Sequence, residues 1–220
     1  MDTLRLFFPQ WQGSGSERAK ELLTGVMSLK SLLPSSMTEL ETEDVNTETA
    51  NNILHYADIV LNLEEALHII QEANPKRLVT IGGDCGVDAA PITYLNKVYK
   101  DLAVVWIDAH ADLNTPESSP SKSFHGMVLR AILGEGDTVI LEKLPSRVFP
   151  DAVFLDPSEF ASTCYPTPNG LSVPGLLKLL KLLQKDLNVV GFTLTEFAPA
   201  NDTDIETLKR ILEAAPLLHA

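Results

Sequence analysis

The sequence predicts an α/β fold with three layers, a mainly parallel sheet carrying helices on both faces. Three observations point to it. Residues 77–81, 89–99 and 103–107 read as strand, helix and strand in succession, the unit that builds parallel sheets through right-handed crossovers. Three predicted strands run directly into polar residues, at Asp84-Cys85, Asp108 to Asp112 and Thr195-Glu196. Ligands of open parallel sheets bind beyond the carboxyl ends of the strands, so these segments are expected to share one crevice. Finally, 220 residues with 45% apolar content suffice for one large core. A single domain over residues 1–220 is expected, since no repeat, low-complexity tract or linker interrupts the chain.

The elements follow in order. Residues 4–8 form a first strand closed by Pro9, and a Gly/Ser loop (Gly13 to Ser16) follows. Residues 17–33 are helical until Pro34-Ser35-Ser36 stops them. The acidic, Thr-rich stretch 38–48 is a surface connection with at most one strand. Residues 51–73 place Ile53, Ala57, Val60, Leu61, Leu67 and Ile70 at helical spacing, in two pieces, and Pro75 ends them. The strand at 77–81 leads to Gly82-Gly83-Asp84-Cys85, and residues 127–133 make a turn or two of helix. Residues 152–155 are a short strand before Asp156-Pro157. Ser172 caps a helix over 174–185 whose Lys178, Lys181 and Lys185 mark the solvated face. A last strand, 188–194, ends at Glu196, and residues 203–212 close the chain as a helix.

Charge and cysteine usage narrow the function classes. Thirty acidic against 17 basic residues give a formal charge of −13. Binding to nucleic acid or to anionic membranes is not expected, because both need basic patches. Cys85 and Cys164 stand far apart and make no disulfide framework. Met1-Asp2-Thr3-Leu4-Arg5 lacks the basic start and long apolar core of a signal peptide, and no run approaches the roughly 18 apolar residues of a membrane helix. A cytoplasmic chain is the expectation.

Chemistry concentrates in Asp108-Ala109-His110-Ala111-Asp112-Leu113-Asn114, directly after the apolar run 102–107. Asp108, His110 and Asp112 stand at i, i+2 and i+4, so an extended backbone would turn all three to one side. Two carboxylates and an imidazole suit a Mn²⁺- or Zn²⁺-class ion, and a carboxylate is able to bridge two ions. Such groups are costly to bury unless metal or hydrogen bonds compensate them. The plainer alternative is a hydrogen-bonded loop after a strand. His55 and His68 lie on a predicted helix as ordinary surface or boundary residues, His219 is next to the chain end, and Cys164 has no nearby base.

These residues carry a resemblance to the ureohydrolase (arginase/agmatinase/formiminoglutamase) family. Gly82-Gly83-Asp84-Cys85 resembles the family's Gly-Gly-Asp-His segment, and Asp108 to Asn114 matches its Asp-Ala-His-x-Asp-x-Asn motif. Ser123-Phe124-His125-Gly126 is similar to its Ser-x-His-Gly segment, and Thr195-Glu196-Phe197-Ala198-Pro199 to a late Val-Glu-x-x-Pro motif. The order and spacing agree from about Leu4 to Leu133 and again from about Asp156 onward. The resemblance implies an arginase-like αβα fold and two Mn²⁺ ions that turn a bridging water into hydroxide. This hydroxide attacks a linear guanidine or amidine, releasing urea or an amide plus an amine. On that reading Asp108 bridges the ions, and His110 and Asp112 bind one each. His125 relays protons to the leaving amine, and Glu196 holds the cationic end of a small guanidino or amidino substrate. Asn114 and Ser121 match positions that contact the substrate's tail. Arginase-type specificity is the first choice, and the family often forms homo-oligomers.

Two departures qualify the resemblance. Cys85 stands where the family usually has His, and it is either a softer metal ligand favouring Zn²⁺ or Fe²⁺ or a buried, unligated thiol. The family's Asp-x-Asp-x-x-Asp-Pro motif has as its only counterpart Asp151 to Pro157, where Asp151 and Asp156 keep the spacing but Val153 replaces the middle Asp. The interval from His125 is also short, so a deletion near residues 150–156 is implied, with Asp151 the remaining candidate ligand. The rival to an enzyme is therefore a catalytically degenerate member of the same fold, binding one metal or none and acting as a binding or regulatory protein.

Overall fold

Alternation along the first strand sets the layers. In β1 (Thr3–Phe8), Leu4, Leu6 and Phe8 join one core cluster while Phe7 joins another, so the strand has a core on each face. The computed structural model describes residues 2–42, 47–108, 110–146, 150–153 (as backbone), 163, 171–199 and 201–219. Helix α1 (Ala19–Leu29) buries Leu22, Val26 and Leu29 at helical spacing and continues as a 3₁₀ turn, Lys30–Leu32. The strand β2 (Thr38–Glu39) pairs in parallel with β1. The helix expected over 51–73 begins only at Tyr56, because Asn51, Asn52 and His55 adopt left-handed backbone (φ 50°, 60° and 51°) and fold the preceding residues into turns. That helix, α2 (Tyr56–Ala73), buries Ile59, Leu63, Ala66, Leu67 and Ile70. Asn74 ends it in the left-handed region, its N–H donating to the Ile70 carbonyl.

The central strand is β3 (Arg77–Gly82), followed by a 3₁₀ turn, Cys85–Asp88, and α3 (Ala89–Val98). β4 (Val104–Ile107) precedes the motif loop, and a second 3₁₀ turn, Phe124–Met127, leads into α4 (Val128–Ile132). A helix not anticipated from sequence, α5 (Thr138–Lys143), is capped by Asp137, whose carboxylate accepts from Ile140 N at 3.0 Å. At six residues it is too short to display a periodic pattern. The remaining elements are β5 (Pro150–Val153), α6 (Val173–Asp186), β6 (Gly191–Leu194) and α7 (Asp202–Ala214). Ser172 caps α6 as expected, accepting from Gly175 N at 3.2 Å, and Lys178, Lys181 and Lys185 are exposed. Among the described residues no helix is long and apolar enough to cross a membrane.

Among the described residues the paired strands run parallel and form two sheets, β2-β1-β3-β6 and β4-β5. On one face, α2, α3 and α4 pack Ile70, Leu95 and Ile132 against Leu6 and Leu78; on the other, α1 and α7 pack Val26 and Leu212 against Phe7 and Ile81. The three-layer αβα arrangement is thus the one expected. The sheet, however, is interrupted. β4 and β6 both border a cleft of about 1090 Å³ whose walls include Leu95 from α3 and Leu176 and Leu180 from α6. Val105 of β4 is 38% exposed.

Where β1 and β3 end, their backbones cross closely. Gly83 N donates to Phe8 O at 3.2 Å, and Asp84 N to Gln10 O at 2.8 Å. A Cβ on Gly83 would overlap the Gln10 carbonyl oxygen, a backbone atom with little freedom to retreat. Gly83→Ala is therefore expected to destabilise by about 3 kcal/mol, the upper part of the usual overpacking cost. The check is the urea midpoint with its slope unchanged; an unaltered midpoint would show that the two turns separate freely.

Candidate active site

The site is assembled by one buried carboxylate and three strand ends. Asp84 is fully buried and accepts from Gln10 Nε2 at 3.0 Å, Gly13 N at 2.8 Å and Gly86 N at 2.8 Å. It thereby ties the loop after β1 to the 3₁₀ turn after β3. Burial, aided by the nearby Glu196 charge, pushes its carboxyl up to about 6 despite those bonds. Gly13 O in turn accepts from His125 N at 3.0 Å, which seats the Phe124–Met127 turn. Glu196 N donates to Gly83 O at 2.6 Å, docking the end of β6 on the end of β3.

Two side-chain groups result. In the first, Cys85 Sγ donates to Asp108 Oδ2 at 3.2 Å and lies 3.6 Å from Thr195 Oγ1. Donor atoms of Cys85, Asp108 and Asp112 all lie within 4.8 Å of one another. In the second, His125 Nδ1 is 2.9 Å from Glu196 Oε1, which also accepts from Cys85 N at 3.2 Å. The alternation read from the sequence is not what gathers the first group. β4 ends at Ile107, and Asp112 takes left-handed backbone (φ 50°), so a loop turns it back toward Asp108. Glu196 is left-handed too (φ 62°). Few non-glycine residues adopt this region, and both positions belong to the site.

Its electrostatics are those of crowded acids. Burial and the Asp108 charge push Asp112 up, and burial pushes Asp88 up to about 7. Burial and the Asp108 and Glu196 charges raise the Cys85 thiol well above its usual range. Burial alone would also raise Asp108, but hydrogen bonds from His110 and Cys85 hold it low. For His125, burial opposes the charged form, yet the hydrogen bond and charge of Glu196 outweigh it and raise the imidazole to about 9. Asp112 Oδ2 is buried without a hydrogen-bond partner, a deficit that a cation would satisfy. The residues present therefore fit a divalent ion.

The other expected site residues are placed as follows. His110 is 47% exposed with Nδ1 3.6 Å from Asp108 Oδ1, beside the cluster and not within its converging donors. Asn114 and Ser121 are exposed and border the same cleft as Cys85, Asp108, Asp112, His125 and Glu196. Asp151 lies on β5 with its Cα opposite Val105, three residues before Asp108, about 10 Å along the strand; its side chain, like Asp156 and Cys164, lies outside the described residues. Sequence reasoning passed over Gln10, whose buried amide bridges Asp84 and, through Oε1, Asn62 Nδ2 at 3.2 Å. It also passed over Asp88, which reads as a helix-start acid but borders the cleft.

Comparison with known proteins agrees with this geometry. The arginase family model matches residues 16–143 and 151–215. An arginase from Staphylococcus aureus is 36% identical over 110 residues, covering 48% of this chain and 35% of that protein. One from Schizosaccharomyces pombe is 40% identical over 93 residues, 42% of this chain and 28% of that one. The matches thus span about a third of the length of these curated relatives. Among solved structures, Entamoeba histolytica arginase in complex with L-ornithine superposes with a TM-score of 0.71 at 20% identity, covering 96% of this chain and 97% of that one. Bacillus caldovelox arginase superposes at 0.72 and 16% identity, over 97% of each chain. With the family model covering most of the chain and the motif residues lining one cleft, this protein belongs to the arginase family.

Proposed function

We propose that this protein hydrolyses a C–N bond of a linear guanidine or amidine, with arginase-type specificity, releasing urea or an amide together with an amine. The observation that carries the reading is the convergence of Cys85, Asp108 and Asp112 in the cleft that also holds the His125–Glu196 pair. Cys85, Asp108 and Asp112 would hold a divalent ion, which would supply Lewis acidity and lower the pKa of bound water. His125, kept protonated near neutral pH by Glu196, donates a proton to the departing amine nitrogen. Glu196 uses Oε1 for His125 and the Cys85 N–H. Its other oxygen is the acceptor for the substrate's cationic nitrogen, a charge-assisted bond. Asn114 and Ser121, on the rim, contact the substrate's tail. The surplus of acidic groups around the cleft draws a cationic substrate in. On the same reading residues 1–220 act as one arginase-like domain, shortened near 150–156, in the cytoplasm.

The test is a substrate panel. Arginine, agmatine and formiminoglutamate are incubated with metal-loaded protein, and urea, formamide and amine are quantified. Turnover of at least one, reduced at least about 100-fold in His125→Asn, is expected. No release from any of them by protein that has bound metal would overturn the reading in favour of a binding protein of the same fold.

A further inference from the structure

We infer that Cys85, Asp108 and Asp112 form a site for one divalent ion, with Cys85 as a direct ligand, and that the thiolate makes this site select Zn²⁺ over Mn²⁺. The site is the one used in the proposed function, and the inference rests on that reading only for its location.

Three observations set Cys85 apart from an inert core thiol. It is 3% exposed and belongs to the core, yet its sulfur also meets a carboxylate and a hydroxyl, 3.2 Å from Asp108 Oδ2 and 3.6 Å from Thr195 Oγ1. The Asp108 oxygen it meets and the Asp112 carboxylate complete a triangle of donors within 4.8 Å. A tetrahedral ion with sulfur at about 2.3 Å and oxygen at about 2.0 Å needs S···O separations of about 3.5 Å, which this spacing accommodates. Independently, Asp112 Oδ2 is buried, in a residue 7% exposed, and has no hydrogen-bond partner. A buried acceptor without a donor is costly unless a cation completes it.

Among the described residues little stands beside the triangle to hold a second ion. His110 is half exposed and outside the triangle, Val153 carries no donor atom, and the register sets the Asp151 Cα three residues back from Asp108. Among the described residues a second ion would find only Asp108 and His110, too few for a hard Mn²⁺ ion that favours several oxygen ligands. The first position instead has three protein ligands, one of them soft. A thiolate among them favours zinc over manganese, which prefers an all-oxygen set.

Cobalt is the probe, because Co²⁺ replaces Zn²⁺ and reports a bound thiolate by a sulfur-to-metal charge-transfer band. The full chain, stripped with a chelator, is titrated with Co²⁺ and followed in the near ultraviolet. Expected are saturation at one ion per chain, a charge-transfer band, its loss on adding equimolar Zn²⁺, and its persistence in an about 100-fold excess of Mn²⁺. In Cys85→Ser the band disappears while the circular dichroism is retained, and in Cys85→His Mn²⁺ becomes an effective competitor. Saturation at two ions, binding without the band, displacement by Mn²⁺ or no binding would each overturn the inference. The wild-type titration decides even if a variant misfolds. The readout is also separate from turnover: the band without hydrolysis sinks the proposed activity and keeps this site, and hydrolysis without the band does the reverse.

Discussion

Glu196→Gln is expected to lower kcat of the metal-loaded protein by about 10²–10⁴-fold while leaving the fold intact. Glutamine keeps an oxygen where Glu196 Oε1 accepts from His125 Nδ1 and from Cys85 N, so the docking of β6 on β3 survives. What disappears is the negative charge. Burial disfavours the His125 imidazolium, and only the hydrogen bond and charge of Glu196, helped by Asp84 and Asp112, raise it to about 9. Without the carboxylate the balance moves toward burial, the His125 pKa falls, and less of the proton donor is present at neutral pH. The same change removes the anion proposed to hold the substrate's cation, so KM rises as kcat falls. An NMR titration of the His125 ring follows the first effect and steady-state kinetics the second. Activity within about twofold of wild type would show that the pair is structural and that the proton comes from elsewhere.

The largest stability effect is expected from Asp84→Ala. The carboxylate is fully buried and accepts three hydrogen bonds, from Gln10 Nε2, Gly13 N and Gly86 N. Alanine leaves three buried donors unpaired, at about 1–3 kcal/mol each before relaxation. Part of that loss is offset, because the carboxylate is itself held at a desolvation cost, the cause of its raised pKa. A net destabilisation of about 3–5 kcal/mol is the expected result, comparable to breaking a buried charged network. For a chain of this size it corresponds to a fall in Tm of about 10 °C. Asp84→Asn keeps one acceptor oxygen but turns an amide toward a backbone donor, so its cost lies between. Because Gly13 O seats His125 N, Asp84→Ala also lowers activity at temperatures where it remains folded. A Tm change under about 2 °C would mean that water replaces the carboxylate, and that the loop after β1 is not fixed by it.

The elements were legible wherever pattern and punctuation agreed. β1 alternates between two cores, α6 pairs a capping Ser172 with a lysine face, and β3 runs apolar into a double glycine. Less was legible where backbone conformation ruled. Asn51, Asn52 and His55 tolerate the left-handed backbone they adopt, so α2 starts later than its apolar periodicity suggests. The short α5 gives no pattern, and the pairing of β4 with β5 away from β6 is a long-range choice that no local window encodes.

The sequence by itself determined the kinds of chemistry on offer: parallel strands ending in Asp84-Cys85, Asp108 to Asp112 and Thr195-Glu196, and the side chains able to hold a cation or move a proton. Only the tertiary structure decided which of them meet. Cys85, Asp108 and Asp112 converge while His110 stands beside them half exposed, and His125 takes Glu196 as its partner from 71 residues away. The physical reason is that strand periodicity ends with β4. Beyond it, direction is set by left-handed turns at Asp112 and Glu196 and by hydrogen bonds such as those of Asp84, which join segments that sequence spacing cannot relate.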